Sequence, residues 1–205
     1  MNIIKKLPEN LINQIAAGEV IERPSSALKE LLENSIDAGA TEIEIFITDG
    51  GKSLIEVVDN GKGMTANDLN MCLQRHATSN ITDGDLVNIN SLGFRGEALP
   101  SIGSIAEISI DSHDMSENES WNISVMNNTL QDIVPSTIRE GTKVTIRDLF
   151  SKVPARLKFL KTNGTEVRYC REIVKHLAMS HPNIAFSFNI DAKRNFYWNK
   201  SEEID

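Results

Sequence analysis

Apolar residues at Leu11, Ile12, Ile15 and Ala16 recur at helical spacing, so a first helix is expected over residues 8–17, stopping at Gly18. Pro24, Ser25 and Ser26 open a second helix, and Gly39 closes it. Its apolar stripe is Leu28, Leu31, Leu32 and Ile36. A polar stripe of Glu30, Glu33, Asn34 and Asp37 adjoins it. Ile43, Ile45 and Ile47 then alternate with polar residues, Asp49-Gly50-Gly51 turns the chain, and a second strand over 54–58 completes a β-hairpin with Asp59 at its end. A short helix is expected over 65–73. Residues 75–96 read as a polar, glycine-punctuated loop, and loops of that length usually carry function. Residues 97–102 look helical, 105–110, 121–125 and 143–146 look like strands, and 111–119 is a polar surface loop. An amphipathic helix over 166–178 and a strand over 184–190 follow. This order predicts an α+β fold: a two-layer sandwich with a mainly antiparallel mixed sheet and helices on one face, residues 1–205 forming a single domain.

Composition narrows the setting. A chain of 205 residues that is 40% hydrophobic can bury a real core. It holds no apolar run of about 18 residues, and its start lacks the apolar stretch and small-residue cleavage site of a signal peptide. The expectation is a cytoplasmic protein without a membrane span. Cys72 and Cys170 have no Cys-x-x-Cys partner, and His76, His113, His176 and His181 show no ligand spacing with them, so reduced thiols and no zinc are expected. Net charge is −8, which disfavours unaided grip on a phosphate backbone. Its distribution is uneven: residues 1–100 hold 8 basic and 15 acidic side chains, whereas residues 139–175 hold 10 basic and 4 acidic ones. Either an ordinary solvated face or a nucleic-acid contact fits that run, and DNA binding is expected to be weak or partner-assisted.

Three separated segments carry candidate chemistry. Glu30 and Asn34 stand one helical turn apart and project to one side. A carboxylate there can take a proton from water attacking a γ-phosphate, and an amide oxygen is a hard ligand suited to Mg²⁺. A solvated acidic helix face is the plainer reading of the same spacing. In Asp59-Asn60-Gly61-Lys62-Gly63 a strand-end carboxylate can accept from an exocyclic amino group while two glycines allow close approach of a flat ring; an Asn-Gly turn is the alternative. Gly93-Phe94-Arg95-Gly96, followed by a helix starting near Glu97, offers free N–H groups at a positive helix end. It is not a P-loop, since no Gly-Lys-Ser/Thr follows, and a glycine-rich hinge would look the same.

Glu30 and Asn34, Asp59-x-Gly61-x-Gly63, the glycine-rich lid and Gly141-Thr142 resemble, in order, the ATP-binding pattern of the superfamily that contains gyrase, heat-shock chaperones, histidine kinases and MutL. Within it, Gln14-Ile-Ala-Ala-Gly-Glu-Val-Ile-Glu-Arg-Pro24, Glu33-Asn-Ser-Ile-Asp-Ala-Gly-Ala40, Arg75-His-Ala-Thr-Ser79 and Gly93-Phe-Arg-Gly-Glu-Ala-Leu99 are similar to signatures of the MutL mismatch-repair family. The resemblance implies a Bergerat-type ATP-binding fold with Glu30 as general base, Asn34 as Mg²⁺ ligand, Asp59 reading adenine, and Gly61 and Gly63 beneath the ring. Ala38, Met64 and Thr142 would meet the nucleotide near its base. Thr78, Ser79, Leu92, Gly93, Phe94, Arg95, Gly96, Glu97, Ala98 and Leu99 would form a lid over the phosphates. Two positions depart from the pattern: Asn80 stands where a lysine is usual, and Leu157 follows Pro-Ala-Arg where a second arginine is usual.

The resemblance further implies ATP and Mg²⁺ as cofactors and a slow Mg²⁺-dependent ATPase used as a conformational switch of mismatch repair. ATP would drive homodimerisation of the full-length protein. A mismatch-recognition protein, a DNA helicase and an endonuclease are the implied partners, with association with the nucleoid during repair. The family's second domain, whose lysine contacts the γ-phosphate, and its C-terminal dimerisation domain are expected to be absent from these 205 residues. The alternative is a catalytically incomplete nucleotide-binding or interaction fragment that needs a second domain or partner. A histidine kinase is disfavoured because no histidine precedes His76 to accept a phosphate.

Overall fold

The computed structural model describes residues 5, 7–74, 77, 92 and 96–201. Two helices open the chain, α1 (Glu9–Val20) and α2 (Pro24–Asp37), followed by the hairpin of β1 (Glu42–Thr48) and β2 (Leu54–Asp59) around a 3-10 turn at Asp49–Gly51. Next come α3 (Ala66–Met71), α4 (Ala98–Ile105), β3 (Glu107–His113), β4 (Trp121–Met126), the two-residue strands β5 (Thr129–Leu130) and β6 (Val134–Pro135), and β7 (Gly141–Arg147). The chain continues through α5 (Pro154–Leu157), α6 (Asn163–Ser180), β8 (Ala185–Ile190) and β9 (Lys193–Trp198). Among the described residues the strands form one sheet in the order β5-β4-β3-β7-β2-β1-β8-β9, with β6 pairing beside β4. All pairs are antiparallel except β1 with β8, so the expected mixed, mainly antiparallel sheet with covering helices is the fold of this chain.

The register explains which face is covered. Directly paired residues point to the same side of a sheet. One row therefore runs Ile190, Ile47, Ile55, Ile146 and Ile108, and the next runs Phe188, Ile45, Val57, Val144 and Ile110. Apart from half-buried Ile190, these side chains are buried and join one core with Leu28, Leu31 and Leu32 of α2 and Val174 of α6. The third row begins apolar, Phe186 and Ile43, then turns polar at Asp59, Thr142 and Ser112. The inner face thus changes from hydrocarbon to hydrogen-bonding groups at one end. The opposite face pairs polar groups across strands: Thr145 Oγ1 donates to Glu56 at 2.9 Å, and Lys143 Nζ lies 3.1 Å from Asp111.

Several expected boundaries move. α1 runs through Gly18 to Val20 instead of stopping there, its backbone ladder closing with Ile21 N donating to the Ala17 carbonyl at 2.7 Å; the Arg156 guanidinium lies over Gly18 and donates to its carbonyl, and a Cβ on Gly18 would stand 2.8 Å from Arg156 Nη2. Ile105 closes α4 and does not begin a strand. Residues 111–113, expected in a surface loop, belong to β3, since Ser112 and His113 pair with Thr142 and Gly141. β5, β6, β9 and α5 have no counterpart in the hydropathy pattern. The first two are two residues long, α5 is four, and β9 is an edge strand whose residues are almost all exposed, so alternation is not imposed on it.

Candidate functional site

The polar stripe of α2 faces the polar end of the sheet across a cavity of about 790 Å³. Glu30, Asn34 and Ala38 line it from successive turns of α2, Asp59 from the end of β2, Gly63 and Met64 from the loop beyond, and Thr142 from β7. Leu92, Gly96, Glu97, Ala98 and Leu99 line its remaining side. Segments distant in sequence thus meet at one site. Thr78, Ser79, Gly93, Phe94 and Arg95, with Asn80, lie outside the described residues.

Asp59 is 7% exposed. Its Oδ2 accepts from the Ser35 hydroxyl at 2.7 Å and its Oδ1 from the Gly61 amide at 2.9 Å. Burial pushes the carboxyl above its ordinary value of 3.8, while the donors from Ser35, Gly61 and the Thr142 backbone partly offset that rise. Gly61 does not line the cavity; its amide holds Asp59, and a Cβ there would stand 2.8 Å from that of Ala38. Gly63 has φ +72°, and its Cβ would fall 1.9 Å from the His113 carbonyl oxygen, so only glycine fits. The loop is seated on α2, where Lys62 N donates to the Ala38 carbonyl at 3.0 Å. Asn60 faces the other way, its Oδ1 accepting from the Thr41 and Glu42 amides, both at 2.9 Å.

Other residues of the site were given no role there by the sequence. Ser35 sits within α2 one position after Asn34, and its role follows only from where β2 ends. Asp37 Oδ1 accepts from Leu92 N at 3.0 Å, tying Leu92 to α2. Glu33 pairs with Lys29 at 2.9 Å on the rim. Cys72 also lines the cavity, but burial and the nearby Asp68 push its thiol up to about 12, so it stays protonated and unreactive near neutral pH. Among the described residues no three His, Cys, Asp or Glu side chains gather as a metal cage. A single amide oxygen such as that of Asn34 suits Mg²⁺, which keeps several waters and shares phosphate oxygens. The donor set fits a magnesium nucleotide: acceptors for an amino group at one end, and an acid beside an amide at the other.

Three side chains of the basic run over residues 139–175 have partners on different elements. Lys143 pairs with Asp111, Lys152 Nζ donates to the Gly103 carbonyl at 2.9 Å, and Arg171 donates to Asn195 at 3.1 Å. Arg23 lies over the Tyr169 ring of α6, 4.5 Å from its centroid. A second cavity of about 350 Å³, largely apolar, lies between α1, Phe150 and Phe159 and holds none of the predicted site residues.

Residues 21–148 match the family described as histidine kinase-, DNA gyrase B-, and HSP90-like ATPase. A DNA mismatch repair protein MutL of Bradyrhizobium sp. strain ORS 278 is 54% identical over 184 residues, 90% of this chain and 30% of the relative. A second, from Bradyrhizobium sp. strain BTAi1, is 50% identical over 95% of this chain and 32% of the relative. The chain therefore spans about a third of the length of the curated relatives it matches. Among solved structures, the Aquifex aeolicus MutL ATPase domain complexed with ADP superimposes with a TM-score of 0.75 at 32% identity, covering 89% of this chain and 66% of that one. No helix among the described residues is long and apolar enough to cross a membrane. With its mixed sheet and the cavity at the polar end of that sheet, the chain belongs to the histidine kinase-, DNA gyrase B- and HSP90-like ATPases, and within them it is similar to the ATPase domain of MutL.

Proposed function

We propose that this chain binds Mg²⁺-ATP in the cavity between α2 and the polar sheet end, hydrolyses it slowly, and serves as the nucleotide switch of a DNA mismatch-repair protein. The observation that carries this reading is the buried Asp59, held by Ser35 and Gly61 with its carboxylate in the same cavity as Glu30 and Asn34. Asp59 accepts from the exocyclic amino group of the base, because a buried carboxylate rewards a donor and rejects an acceptor. Glu30 takes the proton of the attacking water, and Asn34 supplies an amide oxygen to Mg²⁺, which when bound neutralises phosphate charge. Ala38 and Met64 pack on the base, with Gly63 letting the backbone come close. The segment through Gly93, Phe94, Arg95 and Leu99, together with Thr78 and Ser79, covers the phosphates with backbone N–H groups.

In the whole protein, ATP acts as a conformational signal that closes two protomers on each other and is passed to a mismatch-recognition protein, a helicase and an endonuclease. The reading of an incomplete fragment is favoured by one fact: the chain spans about a third of its relatives, so a group that completes catalysis can lie in the remainder. Calorimetric titration with a non-hydrolysable ATP analogue and Mg²⁺ tests the site. Asp59→Asn is expected to abolish saturable binding and Glu30→Ala to retain it while losing turnover. Binding that survives Asp59→Asn would remove the assigned base contact. Turnover of ATP by the isolated chain separates a self-sufficient enzyme from a fragment.

A further inference from the structure

The polar row of the inner face ends on Ser112, which is 0% exposed and lines no part of the nucleotide cavity. Its Oγ stands 2.9 Å from the Met64 amide, 3.2 Å from the Gly141 carbonyl and 2.8 Å from Thr142 Oγ1. A hydroxyl owns one proton and two lone pairs. The Met64 N–H occupies one lone pair. The Gly141 carbonyl carries no proton, so that contact is a hydrogen bond only if Ser112 donates to it. The remaining contact is then made by Thr142, whose proton enters the second lone pair of Ser112. In the opposite arrangement, with Ser112 donating to Thr142, the approach to Gly141 would hold no proton. All three contacts are hydrogen bonds in the first arrangement alone.

Proton placement at Ser112 thus dictates what Thr142 shows to the cavity. With its own proton turned inward, the Thr142 hydroxyl offers lone pairs only, on the row it shares with the Asp59 carboxylate, also an acceptor. We propose that Ser112, from outside the cavity, fixes the Thr142 hydroxyl as an acceptor and so sets the preference for a purine whose edge bears an amino group over one bearing a carbonyl. Ser112 is a positioning residue, and the inference rests on the reading that this cavity holds a nucleotide with its base toward Asp59. A carbonyl oxygen placed there meets two acceptors and is left unpaired, the case in which polar sites discriminate most strongly. Without Ser112, the Thr142 proton is free to rotate toward the base and meet that carbonyl.

The test uses adenosine and inosine diphosphates with Mg²⁺, titrated calorimetrically into the full chain, with thermal melting to establish that each variant folds. Wild type is expected to favour the adenosine nucleotide. Ser112→Ala is expected to lower the ratio of the two affinities about tenfold, and Thr142→Val to lower it comparably, with no further loss in the double variant. A purely structural role for Ser112 would weaken both nucleotides together and leave the ratio unchanged. A folded Ser112→Ala chain with the wild-type ratio overturns the proposal. Should that variant not fold, an unchanged ratio in Thr142→Val overturns it instead. Equal binding of the two nucleotides by wild type also overturns it. Binding of neither by folded wild type refutes the nucleotide reading of the cavity itself, a different result from an unchanged ratio.

Discussion

Asp59 is a carboxylate 7% exposed, accepting from the Ser35 hydroxyl and the Gly61 amide. Its folded-state carboxyl titrates above 3.8 because burial penalises the charge. The folded chain therefore holds that proton more tightly than the unfolded chain, and this residue's contribution to stability falls as pH rises from about the ordinary carboxylate value through the raised one. At neutral pH the ionised group costs stability. Asp59→Asn is expected to melt at or above the wild-type temperature near pH 7 and to lose part of the wild-type gain on acidification, while nucleotide binding disappears; melting curves from pH 4 to 8 check this. Glycines give a second contrast. Gly39, at φ +75° with nothing within 4 Å of where a Cβ would stand, should accept alanine at a cost of about 1 kcal/mol. Gly63→Ala drives a Cβ into the His113 carbonyl and should cost more and weaken nucleotide binding, as denaturant titration of the two variants would reveal. The sequence grouped Asp59 with the two glycines as one candidate segment. It did not show that Gly61 serves the carboxylate through its amide, because that depends on the turn the chain makes beneath α2.

Elements are placed by contacts at their ends. Thr162 caps α6, its hydroxyl accepting from Thr165 N at 3.4 Å, and Thr162→Ala is expected to cost about 1 kcal/mol by chemical denaturation. At the end of β3, the His113 ring places Nδ1 2.5 Å from the Arg139 carbonyl and Nε2 3.1 Å from that of Glu117. A neutral imidazole has one N–H and cannot donate to both, so these two carbonyls raise the pKa above 6.5, with Asp114 and Glu117 adding in the same direction. The contribution of this latch is complete below the unfolded value of 6.5 and is lost as pH rises through the folded one. An NMR titration is expected to place the His113 ring above 6.5, and His113→Ala should flatten the corresponding limb of stability against pH. Periodicity made α2, α6, β1 and β2 legible, since each has one buried face. It missed β9 and extended the loop back over Ser112 and His113, because strand pairing to β7, not hydropathy, fixes those residues.

At the scale of the molecule, one core and one cavity share a sheet face. Ile45 is 0% exposed between Val57 and Phe188 on the central row, and Ile45→Ala is expected to cost about 3 kcal/mol and to lower the melting temperature without changing which nucleotide binds. The sequence by itself determined the α+β class, the apolar stripes that build this core, and the local chemistry of three segments: an acid and an amide one turn apart, a carboxylate at a strand end, and glycines before a helix. Each of these is a short-range property, readable from spacing of 2, 3 or 4 residues. Tertiary structure alone decided that Glu30, Asn34, Asp59 and Gly96 line one cavity, that Ser35 and Ser112 bond to Asp59 and Thr142 there, and that Lys143 and Lys152 of the basic run are tied to different elements, β3 and α4. Those outcomes depend on which strands pair and in what register, and pairing across more than a hundred residues is settled by the packing of the whole sheet against its helices, not by any local pattern.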